Sequence, residues 1–121
     1  MSELNILFPE AEEVRVNGRL VLINPVQLRH FELFGKVAGE LMQVVSAGSI
    51  EQVHAYAQRN SRPLRQVLVA TTSLWRWRVM HLPAPVAIQL MLQVIRANAG
   101  FFVQAQVAAA TALDGLQSPS A

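Results

Sequence analysis

The chain has no cysteine, which excludes disulfides, thiolate nucleophiles and cysteine-ligated metals. Lysine is nearly absent too: Lys36 stands alone among ten basic residues, the rest arginines. Charged residues make up 15% of the sequence and hydrophobic residues 52%, one low and the other high for a soluble globular chain. Acids are missing from the whole stretch between Gln52 and Leu113, which carries six arginines: Arg59, Arg62, Arg65, Arg76, Arg78 and Arg96. Residues 1–51 hold seven acids against four bases, so the net charge of +2 hides an asymmetry. Either the two halves attract each other or the second meets an acidic partner. The start has no basic segment followed by an apolar one, so no secretory signal is expected. Missing as well are a Gly-rich phosphate loop, a nucleophile elbow and paired carboxylates beside an apolar run; Glu12-Glu13 adjoin a strand and are most simply solvated. His30, His54 and His81 have no second ligand at metal spacing. These absences point to a protein without catalysis, metal or cofactor. A chain of 121 residues suits one domain, here 1–116, with 117–121 as a disordered polar tail.

What the sequence does have is a long apolar run, Ala84 to Leu113. At about 100° per residue, Gln89, Gln93, Arg96, Gly100 and Gln104 fall on one narrow stripe. Leu90, Val94, Ala97 and Phe101 share one apolar arc, and Met91, Ile95 and Phe102 a second about 100° farther round. One small core does not cover both arcs, so the second is expected to meet a partner helix or another copy of the chain. Gln89, Gln93, Arg96, Asn98 and Gln104 make the run unsuited to lipid, and a soluble, cytoplasmic, oligomeric protein is expected.

Earlier in the chain, Leu4 to Pro9 reads as an extended arm or edge strand. Val14 and Val16, then Asn17-Gly18, then Leu20 and Leu22 predict a hairpin over about 13–23, turning on the dipeptide that suits a type I′ turn. Asn24-Pro25 reads as a helix N-cap and first residue, with Gln27 at the capping-box position, and the helix runs to about Ala47. Gly48 stops it, Ser49 caps a short helix over Ile50–Arg59, and Pro63 reads as the first residue of another. From there Leu64, Val67, Leu68, Thr71, Trp75 and Val79 form one face, with a split favoured at Thr72-Ser73. Leu82-Pro83-Ala84-Pro85 ends that region. The predicted fold is mainly α, a hairpin packed on four to five helices of which the last is long.

Arg59, Arg62, Arg65, Arg76 and Arg78, with Trp75 and Trp77, are the one set suited to nucleic acid, because guanidinium groups pair phosphates while indoles stack on bases. A small net charge and a single lysine make that a poor electrostatic footprint. Trp77 points away from the Trp75 face and reads as an interface anchor. Arg62, Arg65, Arg76 and Arg78 read as contacts for an acidic partner.

The order of these pieces resembles a known family. An acidic lead, a hairpin with a glycine turn (Val14 to Ile23), a proline-started helix, the stretch Val69 to Thr72, a tryptophan-containing turn, Leu82-Pro83, and a long helix carrying Val94 to Phe102 are similar to the small tail assembly chaperones of long-tailed and Mu-like phages. The likeness spans roughly residues 4–104, and Asn98, Phe101 and Phe102 are its most specific part. It implies a host-cytoplasmic helper that coats the helical tape measure protein and is displaced as tail tube subunits polymerise, with the tail tube protein as a second expected partner. The arginine-rich second half departs from the acidic pattern of that family. Trp77, Met80, Met91, Ile95, Phe101 and Phe102 are the side chains expected to meet the tape measure helix. The competing expectation is a small regulatory protein binding nucleic acid through Arg59 to Arg78.

Overall fold

Asn17 and Gly18 both adopt positive φ, 51° and 77°, the combination a type I′ turn requires. In the computed structural model, which describes residues 11–117, they join β1 (Glu12–Val16) to β2 (Arg19–Ile23) as an antiparallel pair. A two-residue loop places Val14 opposite Val21 and Glu12 opposite Ile23, so partners across the ladder share a face. Val21 and Ile23 are fully buried with Val14 and Val16 packed nearby, while Leu20 and Leu22 point outward. The two alternating apolar sets that flank the turn therefore lie on opposite faces: the turn fixes the register, and the register puts Leu20 and Leu22 across from Arg15 and Glu13.

The free edge of β2 is covered by chain from much later in the sequence. Leu22 and Ser73 exchange two hydrogen bonds, Leu22 N–H to Ser73 Oγ at 3.0 Å and Ser73 N–H to Leu22 O at 2.9 Å. The Asn24 amide donates to Thr71 O at 2.8 Å, and Ile23 bridges to Thr72. These contacts also overturn the expected helix start at Asn24-Pro25. With the amides of Asn24 and Val26 held by distant acceptors, residues 24–27 stay extended, and α1 begins only at Leu28 (Leu28–Ser46), with Gln27 as an N-cap whose side chain makes no cap.

Phe34, Val37 and Leu41 are the buried stripe of α1. Gly48, at φ 78°, ends the segment, and its amide closes on Val45 O at 3.1 Å. Ser49 then caps α2 (Ile50–Arg59), accepting from the Gln52 amide at 3.3 Å. α3 (Ser61–Thr71) starts two residues before Pro63, which therefore lies inside the first turn rather than at its first position, still where a missing N–H costs nothing. The split at Thr72-Ser73 is present, with α4 (Arg76–Met80) following as a short helix after an extended Trp75. α5 (Ala84–Gln117) is the long last helix and runs past the expected end at Leu113.

The fold is therefore mainly α with one hairpin, as the sequence predicts. Its core gathers Val21 and Ile23 from the hairpin, the buried stripe of α1, Leu64, Val67 and Leu68 of α3, and Ile88 to Ala97 of α5. The expected arm at Leu4 to Pro9 and the tail beyond Gln117 lie outside the described residues.

Candidate interaction surface

The first half of α5 is held from several sides, by β1, α1, α2 and α3. Leu90, Met91, Val94 and Ala97 are buried there, and Asn98 with them. Asn98 is placed to use both ends of its amide: Oδ1 accepts the Val26 N–H at 2.8 Å, and Nδ2 donates to Val94 O at 3.0 Å. Gln89, Gln93, Arg96 and Gly100 form the exposed stripe the periodicity predicts. Arg96 reaches Glu12 at 2.9 Å, the one ion pair among the described residues and the one place where the acidic and basic halves meet through charge. Both partners are substantially exposed, so the pair contributes about 0–1 kcal/mol.

Beyond Phe101 no described side chain is buried. Sixteen residues of helix, 102–117, continue past the core, a projection of about 24 Å at the usual rise per residue. Val103, Val107 and Leu113 are 57%, 61% and 54% exposed along it. At its base the Phe102 ring meets Phe31 of α1 edge-on, with centroids 5.6 Å apart, and both rings remain nearly half exposed. Leu28, one turn earlier on the same face of α1, is almost wholly exposed. Leu28, Phe31 and Phe102 make an apolar edge, and Val103 and Val107 expose a second apolar strip on a neighbouring face of the projection.

Among the residues expected to meet a partner, Phe102 lies on this edge. Phe101 and Ile95 are partly buried against the core. Met91 is a correction. It is fully buried, on the side of α5 that packs into the domain opposite the exposed stripe of Gln89, Gln93 and Arg96. The surplus apolar surface is spread along the helix axis, past the end of the core, rather than around it.

A second exposed patch surrounds α4. Trp75, expected in the core, is 78% exposed: the extended residues after Thr71 turn its side chain out before α4 begins. Trp77 is also exposed, its ring tilted 38° against that of His81 with centroids 4.6 Å apart, and His81 Nδ1 lies 2.8 Å from the Trp77 carbonyl oxygen. Trp75, Trp77, Leu20, Arg19 and Arg78 line one shallow groove of about 580 Å³. Met80, another expected contact, is half exposed.

The basic residues divide between two surfaces. Arg78 belongs to the tryptophan groove, whereas Arg62, Arg65 and Arg76 line a separate groove with Arg29 and His30 of α1. Sequence reasoning missed Arg29 and Phe31 as surface partners of later residues; nothing in the local pattern of α1 marks them, since each acquires its neighbours only through folding.

Tyr56, the sole tyrosine, is buried between α2 and α1, and its hydroxyl donates to Glu40 Oε1 at 3.1 Å. Burial foremost, then the hydrogen bond to the Glu40 carboxylate and its negative charge, push the phenol up to about 12. Among the described residues no group of three His, Asp or Glu side chains is placed to hold a metal. By length and hydropathy α5 could cross a membrane between Ala84 and Gly115, yet the half carrying Leu90, Met91 and Asn98 is packed within the domain. No family model, no curated protein and no solved structure matches the chain.

Proposed function

We propose that this chain is a non-catalytic tail assembly chaperone of a long-tailed, Mu-like phage, working in the host cytoplasm. It binds the helical tape measure protein and keeps it in solution until tail tube subunits polymerise around it. The observation that carries this reading is the apolar projection of α5 beyond Phe101 together with the Phe31–Phe102 pair at its base. A helix of that length can lie along about four turns of another apolar helix, burying surface that both would otherwise expose to water. The exposed Trp77 and Met80 supply a second apolar contact, suited by size and by the flexible thioether to a partner with varied side chains. The resemblance in the order of sequence elements supplies the identity of the partner.

Co-expression with the tape measure protein of the same genome tests this. The intact chain keeps the tape measure in the supernatant. Phe102→Asp with Val107→Asp sends it to the pellet, while the variant keeps its helical circular dichroism and melts within a few degrees of the parent, since both side chains are exposed. Arg62→Ala with Arg65→Ala leaves solubilisation nearly intact. Retention of solubilisation by the aspartate variant, or its loss in the arginine variant alone, refutes the reading.

A further inference from the structure

The groove between the start of α1, α3 and α4 has a volume of about 840 Å³ and collects four guanidinium groups, from Arg29, Arg62, Arg65 and Arg76. No acid lines it, and among the described residues none of the four arginines is in an ion pair. Arg29 Nε donates to the neutral Gln27 Oε1 at 3.0 Å, which leaves its charge uncompensated. His30, on the same wall, has its Nδ1 buried without a hydrogen-bond partner. Like charges gathered around one concavity repel one another until an anion enters it. Arg62 and Arg65 are three residues apart on α3, so both forks face the groove from one side while Arg76 and Arg29 approach from other elements.

Between the arginines the wall carries the apolar side chains of Leu33, Val69, Ala70 and Met80 beside the amides of Gln27 and Gln66. No phenylalanine, tyrosine or tryptophan lines this groove, so bases find only the His30 ring and the guanidinium planes to stack on. The chain's net charge of +2 also gives weak long-range attraction for a phosphate backbone. Guanidinium forks bordering these apolar side chains match a helix with carboxylates on one face and aliphatic side chains on the other, because a carboxylate accepts two parallel hydrogen bonds from each fork.

We propose that this groove is a docking site for an acidic amphipathic protein helix, held by carboxylates on Arg29, Arg62, Arg65 and Arg76 with its apolar side chains against Leu33 and Val69. The site is separate from the apolar projection of α5 and does not depend on the function proposed for it. It gives a small, nearly neutral protein two surfaces of different chemistry, one for apolar helices and one for acidic ones.

The test uses the full chain and a fluorescent synthetic helix with glutamates on one face and leucines on the other, read by anisotropy. A second peptide carries glutamine for every glutamate, and an oligothymidylate of matched charge serves as the phosphate probe. Binding of the glutamate helix, at least about tenfold weaker binding of the glutamine helix, and weaker binding still of the oligonucleotide are expected. Arg62→Glu with Arg65→Glu abolishes binding; should that variant fail to fold, the milder Arg29→Gln with Arg76→Gln lowers affinity several-fold with the circular dichroism unchanged. Phe102→Asp leaves peptide binding intact. Equal binding of the two peptides, no binding of either, or tighter binding of the oligonucleotide through the same arginines overturns the proposal. Loss of peptide binding in Phe102→Asp but not in the arginine variants also overturns it, and leaves the α5 reading standing.

Discussion

Asn98 shows what one polar side chain does when it is placed inside the core. Three polar side chains are buried among the described residues, and Thr71 and Thr72 bond back to carbonyls of their own helix turn. Asn98 reaches across instead, from α5 to the amide of Val26, 72 positions away. That bond holds residues 24–27 extended against α5 and so decides where α1 begins. Removing it strands a partly buried donor that water reaches poorly, a loss of about 1–3 kcal/mol. Asn98→Ala is therefore expected to lower the melting temperature by several degrees, and to increase amide exchange at Val26 more than at Val37 or Leu41. Uniform loss of protection across α1 would mean that the side chain matters only through packing.

At the scale of elements, Tyr56 latches α2 to α1 through Glu40, and its raised pKa gives the latch a signature in alkali. The folded phenol ionises near 12 and the unfolded one near 10.0, so the fold retains its proton where the unfolded chain has lost it. Stability from this group is complete below the lower value and is lost as pH rises between the two. The expected result is a tyrosinate absorbance that appears only at high pH in the native protein, and a stability that declines over that window less steeply in Tyr56→Phe than in the parent. An ordinary phenol titration in the folded state would show that the ring is not held as described. The elements themselves were readable where their cause is local. Asn17-Gly18, Gly48 and Ser49 act on their own backbone, and each does what its residue type predicts. Where the cause is distant, local reading failed. Asn24-Pro25 looks like a cap, but Thr71 and Asn98 take the amides of Asn24 and Val26. Trp75 continues the helical spacing of α3, but the covering of β2 by Thr72 and Ser73 breaks the helix first and turns the ring outward. Met91 sits on the arc assigned to a partner, yet the domain core extends round α5 far enough to bury it, leaving only the Gln89–Gln93–Arg96 stripe in water at that level. The four-arginine groove was half visible: Arg62 and Arg65 stand out by spacing, while Arg29 joins them only because α1 packs beside α3.

For the molecule as a whole, the physical problem is an apolar rod longer than the core that can cover it. Up to Asn98 the rod packs one side into the domain; past the Phe31–Phe102 contact no described side chain of it is buried. Water penalises that surface roughly in proportion to its area, and two copies can relieve the penalty by laying their projections side by side. Self-association and capture of a tape measure helix would then compete for one surface. Sedimentation of the full chain is expected to show concentration-dependent association that persists or strengthens as salt is raised, because apolar burial is not screened whereas surface ion pairs are. Phe102→Asp with Val107→Asp shifts the chain to monomer, and a saturating tape measure helix does the same by replacing one copy with the partner. A strictly monomeric parent at high concentration, or an oligomer that salt dissolves, would show that the projection is not the contact and that the basic grooves hold the copies together.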